Sequence, residues 1–385
     1  MKKKIIRITT VSTSLSILLK GQLKFINQYY QVIGVSSKGE SLKNVELDEG
    51  VLTFDIEMTR KITPLKDLIS VCKFYLLLVK EKPYIVHSHT PKAGMVAMIA
   101  SWFARVPNRL HTVAGLPLLE ASGVKRFILD IVEKVTYKCA TKVYPNSNKL
   151  SEIIITNKLA DKRKLSVIGN GSSNGISTTH FNLENISLDE MKFLRDKFNI
   201  SETDFVYVFV GRIVKDKGIN ELVESFTKIN KLNNKTKLLL VGPFEDNLDP
   251  IDSLTRRGID NNPNIITTGY VKDVRPYFAI SQTLVFPSYR EGFPNVVMQA
   301  ASLELPSIVS DINGCNEIVV NNYNGILVPS KNAFKLEEAM IRLLTDKLFY
   351  FQLKNNARKS IVDRFEQAYL WGEILKEYNN LDYDV

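Results

Sequence analysis

Pro287 to Ser302, PSYREGFPNVVMQAAS, carries the densest chemistry in the chain. It follows the apolar run Thr283–Phe286 and opens a helix near Pro294, a residue type suited to a helix start. Glu291 is therefore expected at the carboxyl end of a strand, just before a helix N-terminus. Open α/β sheets bind ligands at that edge, and the amides of Asn295 and Val296 are placed to receive a phosphate. A plain strand–turn–helix with a capping Glu fits the same composition. Val210 to Gly218, VGRIVKDKG, also ends a strand and begins a helix, and it brings the cations Arg212 and Lys217. Alone, those cations equally fit a solvated basic turn. His111 lies at the end of the run Arg109–Val113, before a loop containing Gly115, and His87, His89 and Lys92 fall within VHSHTPKAG. Zinc is not expected on these histidines, because His87 and His89 sit in a buried parallel strand with no acidic or Cys partner at metal spacing. Asp382-x-Asp384 lies at the chain end, away from any strand edge, and reads as a solvated tail.

Taken together, these segments resemble the family-four retaining glycosyltransferases of the GT-B fold. The Glu291 segment resembles that family's E-G-F-P/G-x-x-x-x-E signature, continuing through Gly292, Phe293 and Pro294. Asp311, Gly314, Glu317 and Asn324-Gly325 resemble its closing strands. The resemblance implies that Glu291 orients the donor sugar. The position that binds the nucleotide ribose is here Gln299, which keeps hydrogen-bonding capacity without charge. It implies that Arg212 and Lys217 clamp the donor diphosphate, where cations are needed because the leaving nucleoside diphosphate gains negative charge. It places His111 against the donor sugar near the reacting carbon, and Gly21 against the donor phosphates. VHSHTPKAG resembles the V-H-x-H segment of polysaccharide and lipid-linked glycan transferases in the family, so Lys92 is expected to meet the acceptor's phosphates. The implied activity is metal-independent and needs no cofactor. A sugar moves with retention from a nucleotide-sugar, by this branch a UDP-sugar, to a glycan or undecaprenyl-diphosphate-linked saccharide. A nucleotide-sugar epimerase on the same fold, or a silent sugar-nucleotide-binding subunit, remains an alternative; Gln299 is the feature that favours the silent subunit.

Two series of strands must position these residues. Ile5–Ile8, Tyr30–Val35, Tyr84–His87, Arg109–Val113, Lys142–Tyr144 and Leu165–Ile168 read as buried strands in the first half. Val206–Val210, Lys237–Val241, Ile265–Thr268, Thr283–Phe286, Ser307–Val309 and Gly325–Val328 do so in the second. Amphipathic stretches such as Leu65–Lys80 and Lys125–Lys138 alternate with them, the pattern of βαβ units and parallel sheets. The expected fold is α/β, with two Rossmann-like doubly wound domains and a cleft between them. An acceptor-side domain is expected over 1–172 and a donor-binding domain over 173–365, with a helix over 366–385 packing back on the first. The Gly/Asn/Ser run 169–175 supplies the hinge.

Composition sets the outer bounds. The 385 residues suit two domains, and 44% hydrophobic with 24% charged residues describes a globular chain. No apolar run approaches the roughly 20 residues of a membrane span. The start, MKKKIIRITT, is basic like a signal peptide, but Arg7 interrupts the apolar stretch and a buried first strand fits better. Cys72, Cys139 and Cys315 form no C-x-x-C pair and read as buried thiols of a reducing cytoplasm. Residues 1–175 hold 27 Lys+Arg against 13 Asp+Glu, hence +14; residues 176–385 hold 24 against 28, hence −4. The basic half fits an anionic membrane surface, a phosphorylated lipid or a solvated lysine-rich face. Nucleic acid would rest on charge alone, with no aromatic-basic motif to support it. Peripheral docking on the inner membrane face is expected near residues 116–126, with Leu116, Leu118 and Leu119 entering the interface beside Lys125 and Arg126.

Overall fold

The computed structural model describes residues 2–59, 61–247 and 249–381. It divides into two compact units, residues 1–175 with 367–385 and residues 176–366. Asp382 and Asp384 lie outside the described residues.

The first unit is built on β1 (Lys4–Ile8), β2 (Gln31–Ser36), β3 (Leu52–Asp55), β4 (Ile85–Ser88), β5 (Asn108–Val113) and β6 (Lys142–Pro145). They pair in the order β3-β2-β1-β4-β5-β6, all parallel. The second unit uses β7 (Phe205–Val210), β8 (Thr236–Val241), β9 (Ile265–Gly269), β10 (Thr283–Phe286), β11 (Ser307–Ser310) and β12 (Gly325–Val328). Their order, β12-β11-β10-β7-β8-β9, is the same arrangement. The strand order reverses at β1/β4 in one sheet and at β7/β10 in the other, and loops diverging from such a switch point leave a crevice at the carboxyl edge.

The central strands are short and apolar because helices cover both faces, so no alternation is needed. In the first unit one face packs Ile6, Ile8, Val86 and Val143 under helices that include Pro64–Glu81, Pro91–Phe103 and Gly123–Cys139. The other face packs Ile5, Val32, Ile85 and Leu110 under helices that include the late helix Gln367–Asn380, whose Leu370, Ile374 and Tyr378 are buried there.

The edge strand of the first sheet differs from expectation. Leu52–Asp55 supplies β3, whereas Leu165–Ile168 makes only one bridge, Val143 to Leu165. Residues of β3 are exposed or half-buried, so no apolar run announces them. Leu165 follows a 3-10 turn at Lys162–Lys164, and the chain turns away at Gly169, whose φ is +55°. Cys72 is also a correction, since it lies exposed on helix Pro64–Glu81, while Cys315 is buried. None of the described helices is long and apolar enough to cross a membrane.

Candidate active site

The carboxyl edge of β7 and β10 gathers the charged residues of the second unit. The loop after β7 carries Arg212 and then a 3-10 turn, Lys215–Lys217, before helix Ile219–Leu232. Gly218 joins turn to helix with φ +72°, and a Cβ there would stand 2.1 Å from the Pro287 carbonyl oxygen. Only glycine lets this loop close onto the end of β10. Lys217 Nζ then reaches Glu291 Oε1 at 2.5 Å, both side chains largely covered. Arg212 pairs with Glu245 at 2.8 Å and is about half exposed. The hydrogen bond that Arg212 donates to Glu245 raises the Arg212 pKa, with smaller contributions from Asp216 and Glu291. Glu291 is therefore sensed by both cations.

The turn that bears Glu291 is held from three sides. Arg290 pairs with Asp216 at 2.6 Å, and Tyr289 donates its hydroxyl hydrogen bond to Glu221 at 2.7 Å. Asn313 donates to the carbonyls of Glu291 and Gly292 at 3.2 and 3.1 Å. Phe293 packs edge-on against Phe365, with ring centroids 5.3 Å apart. Helix Asn295–Ser302 follows, with Pro294 at its N-cap and no side chain capping its first amides, as an anion site would require. Asn295, Val296 and Gln299 lie on its first turn and a half, with Asn295 exposed and Gln299 half-buried one turn on. Glu291, Gly292, Phe293, Asn295, Val296, Gln299, Arg212 and Lys217 thus all fall on loops and helix starts of one sheet edge. Asn313, Glu245 and Asp216 join them. They lie in loops at this same edge, after β11, β8 and β7, which is the signal that would have found them.

The first unit gathers a different chemistry at its corresponding edge. His111, on β5, is buried beneath helix Pro91–Phe103; a Cβ on Gly94 would come within 2.4 Å of its ring. Ser88 and His111 Nδ1 are hydrogen-bonded at 2.8 Å. Burial lowers the His111 pKa to about 4, against the smaller opposing effect of Ser88, so the ring is neutral at neutral pH. His87 uses both ring nitrogens, Nδ1 with Tyr378 at 2.6 Å and Nε2 with Thr112 at 2.8 Å. His89 Nε2 accepts from Arg7 Nε at 2.9 Å. Burial first, then nearby Arg7 and the other histidines, pushes His87 and His89 well below the ordinary histidine range. Arg7 itself is fully buried, donates also to Gln22, and is paired with no carboxylate among the described residues. In the sequence Arg7 reads only as an interruption of an apolar run.

The structure adds a packing reason at Gly21 and moves the expected membrane contact. Gly21 has φ +78°, its amide donates to Glu49 at 2.6 Å, and a Cβ would stand 2.6 Å from the Trp371 ring. Glycine is required there by packing against the late helix. Leu116 and Leu118 are core residues at 6% and 0% exposure, so neither enters a membrane interface. Their loop is pinned by Arg126, which donates to the Leu118 carbonyl and to Asn157. Leu119 is exposed, and the apolar surface continues instead along helix Gly123–Cys139 through Val124, Phe127, Ile131 and Val135.

Residues 190–360 match the family "Glycosyl transferases group 1", and residues 35–171 match "Glycosyl transferase 4-like domain". The chain is 37% identical over 380 residues to the capsular polysaccharide biosynthesis glycosyltransferase CapM of Staphylococcus aureus, covering 98% of this chain and 97% of that one. It is 30% identical over 328 residues to the UDP-Gal:alpha-D-GlcNAc-diphosphoundecaprenol alpha-1,3-galactosyltransferase of Escherichia coli, covering 83% of this chain and 81% of that one. Among solved structures, Anabaena HepE in complex with UDP and glucose superposes with a TM-score of 0.80 at 17% identity, covering 98% of this chain and 100% of the other, a likeness of fold. The chain belongs to the group 1 glycosyl transferases, of family-four type, and is a glycosyltransferase with two Rossmann-like units.

Proposed function

We propose that this glycosyltransferase moves a sugar, with retention, from a UDP-sugar to a saccharide carried on undecaprenyl diphosphate, in the synthesis of a surface polysaccharide. The observation that carries the reading is the Lys217–Glu291 pair at the β7/β10 edge, with Arg212 close enough to sense the same carboxylate. The donor diphosphate draws Lys217 and Arg212 onto its oxygens, and Glu291 is released to accept hydrogen bonds from the sugar hydroxyls. The bond from the anomeric carbon to the phosphate oxygen breaks as the acceptor oxygen bonds to that carbon. The acceptor's proton passes to the leaving phosphate on the same face. Arg212 and Lys217 stabilise the charge that develops on the diphosphate, and Asn295 and Gln299 are placed for the ribose. His111, held neutral, offers a hydrogen bond rather than a charge. Because two protein cations meet the diphosphate, the reaction is metal-independent.

The donor and acceptor classes are supported by relatives whose names specify UDP-Gal and diphosphoundecaprenol. A lipid-linked acceptor calls for work at the inner, cytoplasmic face of the membrane. Val124, Phe127 and Ile131 form an exposed apolar stripe on helix Gly123–Cys139, and Lys125 stands beside it, the composition of a reversible interfacial helix. The test is a panel of nucleotide-sugars with diphosphate-linked acceptors, product masses being read with and without excess chelator. Transfer from a UDP-sugar that persists in chelator is the expected result. Transfer that requires added Mg²⁺ or Mn²⁺, or a product formed from donor alone, would replace this reading.

A further inference from the structure

A cavity of about 760 Å³ lies in the first unit. Its lining is predominantly apolar and comes from three helices that all begin at the carboxyl edge of the sheet. Helix Pro91–Phe103 gives Lys92, Met95, Ile99 and Phe103, spaced three, four and four residues apart, so they form one continuous stripe. Helix Pro64–Glu81 adds Leu68 and Val71 on one side, and helix Gly123–Cys139 adds Ile128, Leu129 and Val132 on the other. The two outer helices both pack against the middle one, so the stripe is a floor between two walls. From Lys92 to Phe103 the floor runs roughly 16 Å at 1.5 Å per residue.

The two ends differ in chemistry. At the carboxyl edge lie Thr10 and Thr90, whose hydroxyls are hydrogen-bonded at 2.7 Å, together with Lys92, Asp67 and Lys125. Three helices start here, and helix N-termini favour anions. Lys92 is ion-paired with Asp67, both largely covered. Asp67 also accepts hydrogen bonds from the Thr63 amide and hydroxyl, so it keeps partners if Lys92 turns to another anion. At the far end Trp102 and Phe103 are more than half exposed and continue the apolar surface outward. Within the groove, burial pushes the Glu133 carboxyl up to about 7, a sign of how dry the wall is. The groove's anion-binding end and its apolar run are thus separated along one helix.

We propose that this groove binds the isoprenoid segment of the acceptor next to its diphosphate, with Lys92 taking the diphosphate and Met95, Ile99 and Phe103 taking the chain. This rests on the lipid-linked acceptor proposed above. It adds that the protein measures the chain itself and does not only meet the sugar. A groove of this size holds the first few isoprene units and leaves the remainder to the bilayer.

The experiment uses the full chain and one sugar-diphosphate head carried on undecaprenyl, farnesyl or butyl chains. The expected result is a KM that falls by about tenfold or more from butyl to farnesyl and little further with undecaprenyl. Met95→Trp and, as a second variant, Val132→Trp are expected to raise the farnesyl KM by a similar factor and the butyl KM much less, with UDP binding unchanged. Lys92→Ala raises KM for all three chains. Farnesyl diphosphate carrying a diazirine is expected to label helix Pro91–Phe103, a readout that needs no sugar transfer. Equal KM values for the three chains, or a farnesyl KM unmoved in both tryptophan variants with no labelling of this helix, would overturn the groove assignment while leaving the transfer reaction intact. Loss of phosphatidylglycerol vesicle binding in the tryptophan variants with unchanged chain preference would likewise overturn it, in favour of bilayer acyl chains. If only a water-soluble glycan accepts sugar while the diazirine still labels the helix, the lipid-linked reading fails and takes the acceptor role of the groove with it, leaving only its affinity for an isoprenoid diphosphate.

Discussion

The two units share one strand order and one switch-point geometry, yet they furnish that edge in opposite ways. At β7/β10 the groups are charged, paired and partly open: Lys217 with Glu291, Arg212 with Glu245, Arg290 with Asp216. At β1/β4 and the neighbouring β5 they are buried and largely neutral, with His87, His89 and His111 linked through Tyr378, Thr112, Ser88 and Arg7. Topology decides where a ligand can sit, and the residues on the loops decide what it can be. The exchangeable ion pairs suit a substrate that arrives and leaves as a diphosphate. The buried network suits a fixed scaffold whose strand ends must not shift.

The contrast can be tested at its strongest point first. Glu291→Ala should lower kcat/KM by roughly 10²-fold or more and leave the melting temperature nearly unchanged. The measurement is steady-state transfer beside thermal unfolding; near-normal turnover, or an unfolded variant, would remove the assigned role. The second difference concerns acid. Each buried histidine has a lowered folded pKa, so its contribution is fully present above the unfolded value of 6.5 and is lost as pH falls toward the folded one. For His111, with a folded value of about 4, that amounts to about 3 kcal/mol. Glu133, raised from 4.5 to about 7, acts in the opposite sense between those values, and three histidines outweigh it. Hydrogen exchange by peptide at pH 7 and pH 5 should therefore show the first unit loosening and the second holding. Equal loss in both units would erase the distinction.

A smaller effect concerns the diphosphate. Arg212→Ala and Lys217→Ala should each weaken UDP binding by about 1.5–3 kcal/mol, whereas Lys92→Ala in the first unit should leave it unchanged. Calorimetry with UDP separates the two cases, and unchanged affinity in both second-unit variants would dissolve the clamp. The smallest effect is at the membrane. Lys125→Ala should cost about 1 kcal/mol of binding to anionic vesicles, a difference that vanishes at high salt. Co-sedimentation that ignores lipid charge would put the attraction elsewhere.

Much of the second unit was legible in the sequence because its chemistry is nearly contiguous. Glu291 to Gln299 occupy one turn and one helix, and Arg212 to Lys217 one loop, so local spacing already fixes their edge. The first unit was harder to read for physical reasons. Its edge strand Leu52–Asp55 is too exposed to give an apolar run, and its groove is assembled from three separate helices, Pro64–Glu81, Pro91–Phe103 and Gly123–Cys139. Leu116 and Leu118 looked like surface anchors because a loop sequence does not reveal that Arg126 folds it inward. The packing of Gly21 against Trp371 was equally hidden, because nothing nearby in sequence announces that ring.

Helix Gln367–Asn380 belongs to the first unit although the whole second unit precedes it. Its Tyr378 hydroxyl completes the hydrogen bonds of His87, and its Trp371 indole donates to Asn174 at 2.7 Å. The second unit is thus an insertion within the first, and the backbone passes between them at 175–176 and again at 366–367. During synthesis the second unit has all its strands before the first has its last helix. The first sheet leaves the ribosome with one face still lacking this helix and covered only by helices Ser12–Leu18, Gln22–Asn27 and Glu40–Glu49, when residues 176–366 are already made.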